Sequence, residues 1–423
     1  MDAKIRIPHR DQIEMRMLSL DQMLTVDHPA RAVWAFVSEL DLTAWTSAIV
    51  SKRGMAGAKA LDPRVLASLW IMATLDGVRS ARELSRLTEN HIAYRWICGD
   101  EPVNYHSLSD FRTSDPALLE KLLAQSAAAL MHAGAADLKK VAQDGMRVRA
   151  NASSSSFRRE KTLRECLVEA EEQIVAFKED QGETQATPAE SAARERAVHE
   201  RKARVEAALL SLKELQDENA GRYPSQQKDP SEIRVSTTDA DARKMKMGDG
   251  GYRPAYNVEF ATTVRGGAIV GVALTDEGVD SGEMEPMVEK IETLYGSRPG
   301  AYLIDGGFVE KKAIERVEAS GTQVFAPVPC AEKLAGRGED PYARRPDDTD
   351  GVAAWRERMG TPEGRKEYKN RASTAEWVNA QARNHGLRQF LVRGIDKVLS
   401  STFWYALTHN FERHKAWMQA QKA

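Results

Sequence analysis

The stretch Ala301-Tyr302-Leu303-Ile304-Asp305-Gly306-Gly307 reads as a short apolar strand that ends in a carboxylate and then turns on two glycines. Ligands of open α/β sheets gather at the carboxyl ends of strands, so Asp305 stands where chemistry is expected. Downstream, Phe308 to Ala319 reads as a helix and Thr322 to Pro327 as a further strand. Upstream, Tyr256, Val258, Phe260, Thr262 and Val264 alternate along one face of a strand that starts at Tyr252. Gly266-Gly267 offers a two-residue turn into a paired strand from Ile269 to Leu274. A helix from Ser281 to Tyr295 follows, capped by Ser281. Earlier still, Val141, Met146 and Val148 mark a strand around Asp144 that continues through Ala150-Asn151-Ala152. Strand, hairpin, helix, strand, helix, strand is an α/β order with a mixed sheet.

Helical periodicity dominates both ends. Val33, Phe36, Val37 and Leu40, then Val65, Leu66, Leu69, Met72 and Leu75, recur at helical spacing, and Asp62-Pro63 is a helix start. Ser80 to Leu87 followed by Ile92 to Trp96 reads either as a helix pair that enters DNA or as plain helical packing. From Arg158 to Arg222 a polar segment keeps apolar residues at Leu163, Leu167, Ala170, Ile174, Val205, Leu209, Leu212 and Leu215, around a break at Gly182 to Pro188. That pattern predicts an antiparallel helical hairpin inserted into the sheet region. Val328 to Asp350 is turn-rich and is expected to be a loop, a helix is expected through Glu376, and Thr402 to Ala423 reads as a closing helix packed through Trp404, Leu407, Phe411 and Trp417.

At 423 residues with 42% hydrophobic, the chain can bury more than one core. No apolar run has the length of a membrane span and Met1 to Arg16 is charged throughout, so a soluble cytoplasmic protein without a membrane partner is expected. Cys98, Cys166 and Cys330 are too scattered for a disulfide framework or a zinc site. A net charge of -2 argues against a nucleic-acid partner, but its distribution does not: Arg365 to Lys397 carries eight basic residues against Glu367, Glu376 and Asp396.

Phosphodiester chemistry at neutral pH calls for carboxylates from separate elements that hold hard divalent ions. Asp305 has that setting. Asp144 sits on the opening strand, although Asp144-Gly145 by itself is an ordinary turn pair, and Glu376 by itself is an ordinary helix acid. What singles out Glu376 is its company: Tyr368, Arg371, Glu376 and Arg383 lie in one stretch, and on a helix Glu376 and Arg383 share a face. Asp239, Asp241 and Arg243 form a second polar cluster, read either as an assistant near the metals or as an Asx-type cap.

In order along the chain, Val141-Ala142-Gln143-Asp144-Gly145, Ala150-Asn151-Ala152-Ser153, Asp239 to Arg243, Gly250 to Asn257, Tyr302 to Phe308 and the Tyr368/Arg371/Glu376 stretch resemble the catalytic core of DDE transposases of bacterial insertion sequences. Ser80 to Leu84 and Phe111-Arg112 resemble that family's N-terminal domain. The sequence departs from it in having Arg383 where Lys is usual, and Ala375-Glu376-Trp377-Val378-Asn379-Ala380 where a Val-Glu-x-x-Phe-Gly run is frequent. The resemblance implies an RNase H-like α/β core with a mixed five-stranded sheet. It also implies catalytic and metal-binding roles for Asp144, Asp305 and Glu376, and two Mg2+ ions replaceable by Mn2+. Tyr368, Arg371 and Arg383 would position the DNA backbone, joined by Arg388 and Arg393. Partners would be double-stranded transposon ends and target DNA, with a homodimer pairing two ends near the nucleoid.

The corresponding division is a helical DNA-binding and dimerisation domain (1–135), the first part of the core (136–157), the hairpin insertion (158–228), the second part of the core (229–327), a loop insertion (328–360), and C-terminal helices that complete the core (361–423). Two rival readings stay open: a metal nuclease that cuts without joining, and a transposase-derived DNA-binding regulator.

Overall fold

The computed structural model describes residues 10–13, 15, 17–51, 59–179 and 187–422. Most of the charged start and the break expected from Gly182 onward lie outside them. Helices α1 (Pro29–Ser38), α2 (Thr43–Ala48), α3 (Pro63–Leu75), α4 (Ala81–Asn90), α5 (Ile92–Cys98), α6 (Tyr105–Arg112) and α7 (Pro116–His132) come first. Their starts are written locally: Asp62 and Asp115 each accept the amide N–H two residues on, and proline follows each of them, its fixed φ already helical. Only His91 separates α4 from α5, and Leu84, Tyr94 and Ile97 are buried, so the inner faces of this pair belong to the core.

The main sheet comprises β1 (Lys140–Arg149), β4 (Arg243–Lys246), β5 (Tyr252–Thr263), β6 (Ile269–Thr275), β7 (Ala301–Leu303) and β8 (Gln323–Phe325). A separate two-stranded ribbon joins β2 (Phe157–Arg158) to β3 (Val235–Ser236). Strand β1 lies at the centre, antiparallel to β5 and parallel to β7, with β8 parallel beyond β7. On the far side of β5, β6 pairs with Asn257–Thr262 and β4 with Tyr252–Ala255, so the two share one edge end to end and the sheet is five positions wide.

Helices cover both faces. Met146, Val148, Tyr256, Val258 and Phe260 pack with the N-terminal helices and with α16 (Ile395–Ala420), whose Trp404, Leu407 and Phe411 are buried as expected. Val141, Ala142, Tyr302 and Val324 pack with α10 (Met284–Tyr295), α11 (Lys311–Ala319) and α13 (Asp350–Gly360). Fully buried Asn410 of α16 accepts from the Ile269 N–H at 2.8 Å and donates to Ile269 O at 2.9 Å and Ser126 Oγ at 3.0 Å, which ties α16, β6 and α7 together. Between β2 and β3 stand α8 (Glu160–Glu179) and α9 (Pro188–Gly221), an antiparallel pair whose Leu163, Ala208 and Leu212 share a small cluster with Val235.

Several elements depart from the periodicity. The first strand stops at Arg149 because Ser153 accepts the Ser155 N–H and opens a 3-10 turn over Ser154–Ser156. The β5–β6 connection takes five residues, Val264 to Ala268, with Gly266 and Gly267 both at positive φ. The helix expected from Ser281 begins at Met284 without a side-chain cap, because Gly282 at φ 93° is incompatible with a right-handed helix. The helix expected from Phe308 begins at Lys311, after a 3-10 turn over Gly306–Phe308. The loop region holds the short α12 (Ala331–Ala335). In place of one helix through Glu376 the chain forms α14 (Pro362–Tyr368), a π-helical turn over Ala372–Glu376, and α15 (Trp377–Asn384). No helix among the described residues is long and apolar enough to cross a membrane.

Candidate active site

Parallel pairing of β1 with β7 sets Lys140 beside Ala301, Val141 beside Tyr302 and Ala142 beside Leu303. Two residues beyond the last pair on each strand stand Asp144 and Asp305, and the charge of Asp305 acts on the Asp144 carboxyl. Strand β7 has ended by then. Asp305 instead accepts the Gly307 N–H at 2.7 Å and starts the 3-10 turn.

The third acid arrives through the π turn. A five-residue offset would place Arg371 and Glu376 about 140° apart on an α-helix, whereas the wider turn sets them side by side. Arg371 Nη2 lies 3.0 Å from Glu376 Oε1, and Nη1 lies 3.5 Å from Asp144 Oδ1. One turn later, Asn379 Nδ2 donates to Asp144 Oδ2 at 3.0 Å. Asn379 is buried, and its Oδ1 has no hydrogen-bond partner. This residue falls in the run where the sequence departs from the family pattern.

Burial pushes the Asp144 carboxyl up to about 6; the Arg371 charge opposes this, while Asp305, Asp280 and Glu376 add to the rise. Burial also raises the half-buried Tyr368 hydroxyl, against a hydrogen bond and the charge of Arg371, with Asp305 and Asp144 both close enough to act on it. Tyr368, Arg371, Asp144, Asp305 and Glu376 are thus brought together.

Arg383, by contrast, is exposed in the last turn of α15 and does not pair with Glu376. The two are seven residues apart along regular helix and so lie on one face about two turns apart; the cation in contact with Glu376 is Arg371, which the π turn brings beside it. Arg388 and Arg393 are exposed on a segment that runs beside the end of β1: Arg149 N–H donates to Arg388 O, and Arg393 Nε donates to Asn151 O at 3.2 Å. Arg149 is five residues beyond Asp144, or about 17 Å along the strand.

The Asp239 cluster resolves as a cap. Asp239 Oδ1 accepts from Tyr256 Oη at 2.8 Å and from the Gly394 N–H, and Asp241 Oδ2 accepts from the Ile395 N–H at 2.8 Å. Arg243 pairs with Asp276 at 2.8 Å. Both aspartates therefore bind the amino end of α16.

Sequence reasoning missed a polar layer behind the site. Tyr302 Oη donates to Gln143 Oε1 at 2.7 Å, Gln143 Nε2 donates to Glu259, and Asn257 Nδ2 donates to Glu259 Oε1 at 3.3 Å and to Asp280 Oδ1 at 2.6 Å. Burial, and then the charge of Glu283, pushes the Glu259 carboxyl up to about 9, so it carries its proton at neutral pH. The signal available was Asn257 and Glu259 on the alternate face of β5, which reads as solvent-facing only while that face is taken as uncovered.

Every donor atom here is a hard oxygen, and the Asn379 oxygen is a buried acceptor left without a partner, so the chemistry of the set fits Mg2+ or Mn2+. Among the described residues no three acidic, His or Cys side chains already stand close enough to enclose an ion, and the Arg371 guanidinium lies between Asp144 and Glu376.

Neither a curated protein nor a solved structure matches the chain. Two family models do: residues 18–114 match a Transposase domain (DUF772), and residues 342–414 match a Transposase DDE domain. The second spans Tyr368, Arg371, Glu376 and Asn379, while Asp144 and Asp305 lie between the two matched segments. A transposase domain is thus matched on either side of the sheet, and the two matches together support a DDE transposase of an insertion sequence.

Proposed function

We propose that this transposase cuts the ends of its element and joins them to target DNA at one site built from Asp144, Asp305 and Glu376, on a core of RNase H-like type. The reading is supported by the β1–β7 pairing, two residues beyond which stand Asp144 and Asp305, together with Arg371 between Asp144 and Glu376. DNA is the partner that the family implies. Two divalent ions, Mg2+ or Mn2+, would be held by the three carboxylates and would supply acidification of the attacking oxygen and neutralisation of charge growing on phosphorus.

In the first step a water oxygen bonds to phosphorus as the P–O3′ bond at the transposon end breaks, leaving a 3′-hydroxyl. In the second, that hydroxyl loses its proton and bonds to a target phosphorus as the target's own P–O3′ bond breaks, and the departing oxygen takes a proton. Arg371 and Tyr368 hold the backbone phosphate of the end. Arg371 also keeps Asp144 and Glu376 from repelling each other before an ion arrives.

Arg388 and Arg393 extend the DNA track along the end of β1, with exposed Arg383 beside them. At the foot of the α8–α9 hairpin, Arg158, Arg201, Arg204 and Arg393 line one cleft with Thr237 and Thr238 and no acidic side chain, a surface suited to phosphate oxygens. Two copies pairing two ends complete the reading.

Glu376→Gln keeps the turn and the volume but removes a charge. Cleavage and joining of labelled ends should fall by at least about a hundredfold while end binding in EDTA survives, and Glu363→Gln at an exposed position should change neither. Normal strand transfer by Glu376→Gln would remove this glutamate from the site. Products that are cut but never joined by the unaltered protein would favour the nuclease.

A further inference from the structure

Asp280 was not assigned any role by the motif, yet it lies against two glycines that neighbour two of the acids. Its Oδ1 lies where a Cβ on Gly145 would meet it at 2.6 Å, and its Oδ2 where a Cβ on Gly307 would meet it at 3.2 Å. Gly145 follows Asp144, and Gly307 is the residue whose N–H Asp305 accepts. The absence of a side chain at both positions is what lets the carboxylate in.

Strand geometry shows how it gets there. Asp144 is paired with Phe260 and Gly145 with Glu259, so Asp144 faces the Arg371 side of the sheet while Gly145, Glu259 and Asn257 face the other. Asp280 approaches from this second face, held through Oδ1 by Asn257 Nδ2 at 2.6 Å, and reaches the open end of β7. Asn257 is buried and belongs to the layer that runs through Glu259 and Gln143 to Tyr302, so the anchor is fixed.

Charge balance differs across the two faces. On the Asp144 face, Arg371 pairs with two acids. Among the described residues neither Asp280 nor Asp305 has a cation within 4 Å, and Oδ2 of Asp280 has no hydrogen-bond partner. Both acids act on Asp144 electrostatically. Two carboxylates without a cation of their own, let in by two glycines beside a third, call for a cation that the chain itself does not provide.

We infer that Asp280 is a fourth carboxylate of the cation site, binding a divalent ion together with Asp305 from the face of the sheet opposite Asp144. The inference rests on the active-site reading above. Its role is that of a ligand, with Asn257 as the positioning residue behind it.

The test uses the full-length protein and metals alone as probes. Asp280→Asn is isosteric and keeps the oxygen that accepts from Asn257. It should retain its melting temperature and its end binding in EDTA, yet raise the Mn2+ concentration for half-maximal paramagnetic binding by at least about tenfold. Asp280→Cys should develop a cadmium–thiolate ultraviolet absorption beyond that of the unaltered protein, and should lose Mg2+-supported cleavage while regaining part of it with a thiophilic ion. A merely structural role would move neither the absorption nor the metal preference. Glu277→Gln, at a neighbouring exposed acid, should behave as the unaltered protein. Normal Mn2+ binding by Asp280→Asn, with Asp305→Asn impaired, would overturn the inference and leave the three-acid reading standing. If Asp144→Asn and Asp305→Asn also bind Mn2+ and cleave normally, the active-site reading fails and this inference with it.

Discussion

At the scale of single residues, the site is set by what surrounds each acid. Asp144 is buried enough that its charge is disfavoured, and two groups hold the anionic form: Arg371 and the Asn379 amide. Asn379→Ala removes that amide without touching the three acids. It should lower end cleavage by roughly tenfold at saturating Mg2+ and cost about 2 kcal/mol in thermal unfolding, the scale of one hydrogen bond to a charged group. Unchanged cleavage in single-turnover assays would show that the Asn379 contact is incidental. The same residue shows how a departure from a motif is to be read: polar Asn379 in place of an aromatic residue gives Asp144 a donor.

At the scale of elements, two junctions hold the sheet to its helices. The β5–β6 turn runs against the end of α7, where a Cβ on Gly266 would lie 2.2 Å from Ala135 O at a φ of +83°. Gly266→Ala therefore meets backbone that cannot yield, and should destabilise the protein by more than about 2 kcal/mol. Gly267→Ala, also at positive φ but with only side chains at 3.5 Å and beyond, should cost about 1 kcal/mol. Denaturant melts of the two variants would show the order.

The same turn accepts a hydrogen bond from α16, where buried His409 Nε2 lies 2.7 Å from Gly267 O. Burial pushes this imidazole down to about 4. Between about pH 6.5 and 4 the unfolded chain therefore binds a proton that the folded chain does not, and stability falls as pH falls through that window. The loss should reach about 3 kcal/mol at its acid end. His409→Gln keeps a donor but does not titrate, so the difference between its unfolding free energy and that of the unaltered protein should vary with pH in this window and be flat above pH 7. A constant difference from pH 7.5 to 4.5 would show that His409 is not held neutral.

At the scale of the whole molecule, the N-terminal helices, one face of the sheet and α16 share a single apolar core, so distant parts of the chain fold as one unit around the site. Arg388 and Arg393, proposed to hold DNA, stand together on the surface at the end of β1, in a chain whose net charge is -2. Arg388→Ala with Arg393→Ala should weaken specific and random duplexes alike and flatten the dependence of binding on salt by one to two units of logarithmic slope, as expected when about two phosphate contacts are lost. Anisotropy titrations from low to moderate salt would measure this. A loss confined to one sequence would mean that these residues read bases.

What the sequence by itself determined was what is local: helix starts at Asp62-Pro63, the apolar strand that ends before Asp305, the alternation along Tyr256 to Thr262, and the order of acids along the chain. These follow from hydrogen-bonding groups and periodicities within a few residues. Only the tertiary structure decided which charges meet. Arg371 stands beside Glu376 because one π turn changes the phase between them, a change that leaves no periodic trace. Asp239 and Asp241 cap α16, more than 150 residues away, instead of serving the metal site. Asp280, read as the residue before a helix, is carried to Gly145 and Gly307 by the pairing of β5 with β1 and by the glycine that delays α10. Contacts across a sheet depend on register between strands far apart in the chain, and no window of sequence holds both partners.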